Sequence, residues 1–247
     1  MKIIKHFFII ATLVAISSVS ANAQWFWGSG LRGNGKMAER VFTFSDFTNV
    51  RVSSGIDLYL EPSGKNNALL VTDSNILDLV EVSQENETVV FKMKRNSNIQ
   101  KTTKGIKIYL SYKNLKGVKA SGGSDVYMKG SAVLKADDFN IEGSGGSDFR
   151  LLLDVVNLNC SVSGGSDAYL SGNAEKIKLE ASGGSDIKAK ELVTQIADIK
   201  ASGGSDIIIT VKKSIKANAS GGSDVYYYGN PANTMIHASS SSDIYRR

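Results

Sequence analysis

A five-residue motif that recurs through the second half of the chain restricts the fold more than any other feature. Ser-Gly-Gly-Ser-Asp occurs six times, and a degenerate copy, Ser239 to Asp243, follows. The final aspartates lie 23, 19, 19, 20, 18 and 19 residues apart, at Asp125, Asp148, Asp167, Asp186, Asp206, Asp224 and Asp243. Regular self-similarity at this period is typical of solenoids, in which each repeat forms one coil stacked on the next.

Alternation of apolar and polar residues on both sides of the motif predicts β-strands. The residue after each aspartate is apolar, and so is the residue seven positions before it. Five positions before each aspartate the residue is small or β-branched, as at Ala120 and Gly143, which indicates an inward site crowded by a sharp bend. The Gly-Gly pair supplies the positive φ values of a tight corner, where Ser and Asp oxygens can accept hydrogen bonds from backbone N–H groups.

The predicted fold is therefore all-β, a single-stranded parallel β-solenoid over 39–247 with coils of about 19 residues, each made of two or three short strands. The repeat array occupies 116–247, and the region 39–115 is less regular. This region contains a divergent motif at Ser53 to Asp57, strands at Val50 to Leu60, Ala68 to Thr72, Thr88 to Lys94 and Ile106 to Tyr112, a hairpin turn at Glu85 to Glu87 and a short helix at Asn75 to Val80. We interpret it as the N-terminal coils and cap, with a separate small β-domain as the alternative.

The N-terminus predicts export. Lys2 and Lys5 precede an apolar run that is too short to span a bilayer, so residues 1–23 match a cleavable signal peptide. Residues 24–38 are expected to form a flexible segment rich in glycine and aromatic residues. No later segment is apolar enough to be a transmembrane span, which leaves the periplasm, the outer surface and the extracellular medium as destinations. Cys160 is the only cysteine, so an intramolecular disulfide is impossible.

Composition argues against nucleic-acid binding and against catalysis. Loss of Lys2 and Lys5 lowers the formal charge from +5 to +3, and the remaining basic residues are interleaved with acidic ones rather than clustered. After cleavage His237 is the only histidine, and no Ser-His-Asp or Cys-His signature surrounds it. The same count excludes a metal site made of His and Cys. We predict no catalytic residues, no enzyme and no cofactor; a calcium-dependent polysaccharide lyase is the weakest of the alternatives.

The aspartates of the motif form one candidate column. Carboxylates stacked about 5 Å apart repel each other by roughly 1 kcal/mol in water, so something must compensate them. Backbone N–H groups of the Ser-Gly-Gly turn are the favoured explanation, which makes the column a structural turn ladder. Calcium is the alternative, since calcium-binding β-rolls share part of this motif, although their period is about half as long.

A second candidate column lies two residues after each aspartate and should point outward. It supplies the candidate ligand-binding residues Tyr127, Arg150, Tyr169, Lys188, Tyr226 and Tyr245, together with Tyr59 and Ile208. Spaced aromatic and basic side chains on a flat sheet can bind a glycan or a cell-surface protein. Tyrosines also favour strands and stack on one another, so a structural role is the alternative.

The sequence resembles a known family in specific segments. These are Glu39 to Phe42 with Phe44 and Phe47, Val50 to Asp57, the repeated Ser-Gly-Gly-Ser-Asp, and the run Val225 to Pro231. They resemble the putative auto-transporter adhesin family with a head GIN domain, over roughly Glu39 to Arg247. The resemblance implies a right-handed parallel β-helix, in agreement with the hand of parallel crossovers. It supplies no catalytic or binding residues.

These observations favour an exported, non-enzymatic binding or adhesion module that recognises glycan or cell-envelope material on its tyrosine-bearing face. The second hypothesis is a structural scaffold or spacer of the cell envelope that has no ligand. The sequence predicts neither the ligand nor the oligomeric state.

Overall fold

The computed structural model describes residues 30–239 and 241–247, most of which lie in β-strands. The predicted signal peptide and residues 24–29 lie outside the described residues. The strands are β1 (Leu31–Arg32), β2 (Met37–Thr43), β3 (Asn49–Ser53), β4 (Ile56–Pro62), β5 (Asn67–Asp73), β6 (Val80–Glu85), β7 (Thr88–Met93), β8 (Ile99–Lys101), β9 (Ile106–Tyr112), β10 (Gly117–Ser121), β11 (Val126–Met128), β12 (Leu134–Ser144), β13 (Phe149–Ser163), β14 (Ala168–Ser182), β15 (Ile187–Ser202), β16 (Ile207–Ser220), β17 (Asp224–Tyr228), β18 (Asn233–Ala238) and β19 (Asp243–Arg246).

Parallel pairing between successive coils forms the body of the molecule. Ile141 of β12 lies opposite Cys160 of β13, which in turn lies opposite Leu179 of β14. All three belong to the predicted inward column, and all three are buried. The predicted β-solenoid is therefore confirmed, with about seven turns and a spacing of about 19 residues.

Between one Ser-Gly-Gly-Ser-Asp turn and the next, β13 to β16 each follow the coil without a break, which differs from the two or three short strands that we expected. Each of β13 to β16 is 14 to 16 residues long. In β13, buried and more exposed residues alternate up to Val155, the alternation shifts by one residue, and it resumes at Leu158. The hydrogen-bonded ladder to β14 omits only Val156 at this corner. The corner is thus a local irregularity in a continuous strand, because the parallel ladder extends around it.

The Ser-Gly-Gly-Ser-Asp turn is held by a column of buried serine hydroxyls. Both glycines take positive φ, 63° at Gly122 and 73° at Gly123 in the first repeat. The second serine of each motif is buried, and in all but Ser223, which bonds within its own turn, the hydroxyl accepts a hydrogen bond from the preceding coil. Ser147 Oγ, for example, accepts a hydrogen bond from the Ser124 N–H at 3.1 Å. The small residue before the turn is explained by crowding, since a Cβ on Gly143 would lie 2.6 Å from the Phe149 ring.

The N-terminal region joins the same sheet but stacks out of sequence order. β3 and β4 pair in parallel with β10 and β11 on one side and with β7 and β9 on the other. The divergent motif therefore lies directly against the first motif of the array, and Ser54 adopts the glycine-like φ of 71°. β2 and β5 add antiparallel strands beyond β9.

Two local predictions for this region can be compared with the structure. The hairpin expected at Glu85 to Glu87 is present, since β6 and β7 are antiparallel neighbours and Asn86 has a φ of 53°. The expected short helix is a three-residue 3-10 helix at Leu77–Leu79. Of the residues that the structure describes, none forms a helix with the length and apolar character needed to cross a membrane.

The described part of the segment 24–38 is tied to the body by β1 and by Asp73. β1 pairs in parallel with β8. The buried Asp73 carboxylate accepts hydrogen bonds from the Gly35 N–H at 2.9 Å, the Thr103 N–H at 2.8 Å and the Thr103 hydroxyl at 2.6 Å. One carboxylate therefore links the loop after β1 to the loop after β8, beyond the end of their short ladder.

Candidate ligand-binding face

The solenoid aligns the outward residues two positions after each aspartate into one continuous column. Pairing in register places Tyr127 opposite Arg150, Arg150 opposite Tyr169, and Tyr169 opposite Lys188. We call the whole set the tyrosine column: Tyr109, Tyr59, Tyr127, Arg150, Tyr169, Lys188, Ile208, Tyr226 and Tyr245. All six predicted candidate residues lie in it.

The aromatic rings of the tyrosine column stack on one another wherever two tyrosines are neighbours. The ring centres of Tyr109 and Tyr59 are 5.0 Å apart, and those of Tyr59 and Tyr127 are 5.2 Å apart. Tyr226 and Tyr245 stack at 5.7 Å. These offset contacts cover the ring faces and leave mainly the ring edges toward solvent.

Cationic side chains fill two of the three positions between the tyrosines, and Ile208 fills the third. The Arg150 guanidinium carbon lies 5.6 Å from the centre of the Tyr127 ring and 4.7 Å from that of Tyr169. The Lys188 ammonium lies 5.0 Å from the Tyr169 ring centre on the other side. Each cation is thus within the range of a cation–π contact, which stabilises the column and holds positive charge on this face.

The aspartates of the motif form a hydrogen-bonded ladder beside the tyrosine column. The Oδ1 atom of each accepts a hydrogen bond from the backbone N–H of the aspartate in the next coil, at 3.0 Å for Asp125 and 3.2 Å for Asp148. The contact repeats along the array up to Asp243, with distances of 3.0 to 3.3 Å. The donor is therefore the N–H of the aspartate in the next coil rather than the N–H groups of Ser-Gly-Gly that the sequence suggested.

The second oxygen of the aspartates faces the tyrosine column. The Tyr127 hydroxyl donates a hydrogen bond to Asp125 at 3.0 Å, and the Tyr226 hydroxyl donates one to Asp224 at 3.1 Å. Burial and then the Asp125 carboxylate raise the pKa of Tyr127 to about 12. Burial and then repulsion from Asp186 and Asp224 raise the pKa of Asp206, because together they outweigh the hydrogen bond donated by the next coil, which lowers it.

Other chemically reactive residues are not gathered near this face. Within residues 30–239 and 241–247, no three His, Cys, Asp or Glu side chains are placed to hold a metal ion. His237 is exposed on β18 and lies opposite Asn218. Cys160 is buried in the core, and burial raises the pKa of its thiol to about 12, so the thiol is neutral near neutral pH.

A groove of about 650 Å³ runs beside the tyrosine column. Tyr127, Arg150, Tyr169 and Lys188 form one wall, and the second wall comes from residues two positions farther along the strands or near them. These further lining residues include Met128, Leu152, Ser171, Lys190, Glu191 and Tyr228. The volume falls within the range of small-molecule sites. Leu152 points outward between polar neighbours and supplies apolar surface, while the small Ser171 leaves room beside it.

Comparison with known proteins places the chain in a family. A family model described as "Putative auto-transporter adhesin, head GIN domain" matches residues 46–231. The chain belongs to this family. The resemblance found in the sequence is thereby confirmed, and the match covers both the out-of-order coils and most of the repeat array of this head GIN domain.

Solved structures share the fold of this head GIN domain chain. A putative adhesin from Bacteroides fragilis matches with a TM-score of 0.84 at 23% identity, covering 88% of this chain and 100% of that one. A putative adhesin from Parabacteroides merdae matches with a TM-score of 0.68 at 20% identity, over 88% and 99% of the two chains. A putative lipid binding protein from Parabacteroides distasonis gives 0.68 at 21% identity, over 87% and 99%. A comparison with curated proteins gave no match.

Sequence reasoning missed Tyr109 and the second wall of the groove in this head GIN domain chain. Tyr109 follows no motif, and only the alternation of Ile106 to Tyr112 indicated a strand there. Leu152 and Lys190 lie four residues after their aspartates, an outward position that the alignment on aspartate already contained. The signal would have been an apolar residue at the fourth position after the aspartate, where Leu152 interrupts an otherwise polar series.

Proposed function

We propose that this chain is an exported, non-enzymatic binding module of the adhesin type, and that it binds its ligand in the groove beside the tyrosine column. The family to which the chain belongs carries the adhesin description. The observation that carries the location of the site is the groove itself, where Leu152 and Met128 meet aromatic and cationic side chains. An apolar cleft with a few polar groups around it is the usual form of a ligand site.

The geometry gives the tyrosine column a different part in ligand binding from the one expected from the sequence. A glycan that stacks on tyrosine needs an uncovered ring face, and neighbouring rings or cations already occupy the faces of Tyr59, Tyr127 and Tyr169. The column therefore serves as a rigid wall that presents ring edges and cations to the groove. Cell-envelope components that enter the groove fit this arrangement better than sugars laid flat on the column.

A structural scaffold is the second candidate, and one observation favours it. Stacked rings, cation–π contacts and tyrosine-to-aspartate hydrogen bonds satisfy much of the column within the protein itself. A scaffold needs these contacts but has no use for the outward apolar Leu152. The two candidates therefore differ in what the groove does.

Binding of residues 24–247 to an array of glycans and cell-envelope components tests the proposal. Leu152→Gln places a polar amide in the groove, and Val156→Gln is the matched control on the same strand, since Val156 is 39% exposed and lies outside the groove. We expect selective binding that L152Q weakens at least about tenfold, the effect of losing most of one buried leucine contact. If binding survives L152Q, the site lies elsewhere. If the wild type binds nothing on the array, the result supports the scaffold.

A further inference from the structure

We propose that the groove beside the tyrosine column binds an anionic lipid, a molecule with one alkyl or acyl chain and a negatively charged head. This inference rests on the proposed function and specifies the ligand class of the same site. It follows from two features of the groove: one part of its lining is apolar, and another part carries more positive than negative charge.

The apolar part of the groove consists mainly of side chains that the fold leaves outside the core. Leu152 and Ile208 line the groove and are only partly buried, although each lies on a strand whose inward positions are already filled, and Met128, which packs on the core, lines the groove with them. Contact with an alkyl chain would remove this surface from water, with a gain of about 25 cal/mol for each Å² buried. A purely polar ligand would leave these side chains without a partner.

The charged part of the groove is positive overall. Arg150, Lys188 and Lys190 line it, and Glu191 is the one carboxylate among the lining residues. Arg150 lies 3.6 Å from Asp148, and Lys188 lies 3.3 Å from Asp186, so both are partly compensated.

Lys190 differs from the other two cations. Its ammonium lies 4.5 Å from the centre of the Tyr228 ring, and no carboxylate among the described residues is within ion-pair distance of it. A cation held on an aromatic ring beside an apolar groove is available to an anionic head. Lys190 therefore provides charge complementarity, while Leu152 and its neighbours provide contact with the chain.

Three probes separate the two parts of the proposed ligand by titration calorimetry, each below its micelle concentration. Dodecyl phosphate carries both the chain and the charge, dodecyl maltoside carries the chain with a neutral head, and inorganic phosphate carries the charge alone. We expect one dodecyl phosphate to bind per chain, at least about tenfold more tightly than the maltoside. Inorganic phosphate should show no measurable binding, because it gains none of the apolar contact.

Two matched pairs of variants locate the contacts. Lys190→Gln should weaken dodecyl phosphate binding about fivefold and leave the maltoside unchanged, as expected for one partly exposed ion pair. Lys216→Gln is the control, since Lys216 is exposed outside the groove and forms no ion pair within the described residues. Leu152→Gln should weaken both amphiphiles, whereas Val156→Gln should weaken neither.

The outcomes distinguish this inference from the proposed function. If dodecyl maltoside binds as tightly as dodecyl phosphate and L152Q abolishes both, the groove remains the binding site but the ligand is not anionic. If K190Q and K216Q have equal effects, the assigned charge contact is wrong. If neither amphiphile binds while the envelope array shows binding that depends on Leu152, the lipid class is overturned and the binding module stands.

Discussion

Ser185 gives the sharpest test of how the repeated turn is stabilised. Its buried hydroxyl accepts hydrogen bonds from two N–H groups of the preceding coil, those of Gly165 and Ser166, each at 3.1 Å. Ser185→Ala removes the one acceptor that both N–H groups share. The Gly165 N–H belongs to an exposed residue and can bind water, but the Ser166 N–H is in a buried residue and would lose its partner.

The expected cost follows from that one buried donor. An unsatisfied buried N–H group costs about 1–3 kcal/mol, so we expect S185A to lower the free energy of unfolding by about 2 kcal/mol. For a chain of this size that corresponds to a fall in Tm of about 4–8 °C. Because stacked repeats can unfold in part, hydrogen exchange at the Ser166 amide should be measured together with the thermal transition.

Ser161→Ala is the control for this prediction. Ser161 is an exposed serine of β13, and its removal should change the stability by less than about 0.5 kcal/mol. Equal effects of S185A and S161A on Tm would refute the serine ladder as a stabilising element. Unchanged exchange at Ser166 would show that another acceptor, such as water, replaces the hydroxyl.

Three further predictions concern the tyrosine column and the Asp73 link. Arg150→Met should lower the free energy of unfolding in urea by about 0.5–1 kcal/mol more than Arg51→Met does, since only Arg150 lies between two rings. The Tyr127 phenol should ionise near pH 12 rather than near its usual 10.0, measured as the difference in phenolate absorbance between wild type and Y127F. Its contribution to stability should then be full below pH 10 and lost as the pH rises through about 12. Hydrogen bonds from Thr103 hold the pKa of Asp73 below its usual 3.8, so the stability that it adds should be present above that value and lost as the pH falls through the lowered pKa. Amide exchange at Thr103 should show this loss, and Asp73→Asn should weaken protection there even at neutral pH.

Each of these expectations has a contrary result. Equal destabilisation by R150M and R51M would remove the cation–π contacts from the energetics of the column. A phenolate transition near 10 for Tyr127 would mean that neither burial nor the Asp125 carboxylate raises the pKa of its hydroxyl. Protection at Thr103 that is independent of acid and of D73N would show that β1 and β8 alone hold the loops.

The repeat predicted the coil and the tyrosine column because both depend on position relative to the aspartate. Once coils stack in register, every outward residue at one offset must fall on one line, so Tyr127, Arg150 and Tyr169 could be grouped without a structure. The corners could not be located in this way, because a parallel ladder that bends has no breaking residue. Val156 is an ordinary strand residue at a corner.

The order of the N-terminal coils also could not be predicted from the sequence. The segment that contains Tyr59 pairs with the first array coil on one side and with the later segment that contains Tyr109 on the other. Long connections of no fixed period separate these strands, so nothing in the alternation indicates which coil is adjacent. The glycine-like turn at Ser54 and Gly55 was the one local signal, since it matches the turn of the array.

The groove arises where the repeat varies in length and in its outward residues, while the buried columns stay regular. The first interval of the array is 23 residues long, and its extra residues follow Met128 and include Gly130, which lines the groove. The next coils then place Leu152 opposite Ser171 and Ser171 opposite Glu191, where the register shifts and Lys190 lies next to Glu191. Core packing does not require this variation, because most inward residues of the same coils remain apolar. A groove lined by apolar and cationic outward residues on a continuous apolar core is what a ligand site on a rigid scaffold requires, and a plain spacer has no need of it.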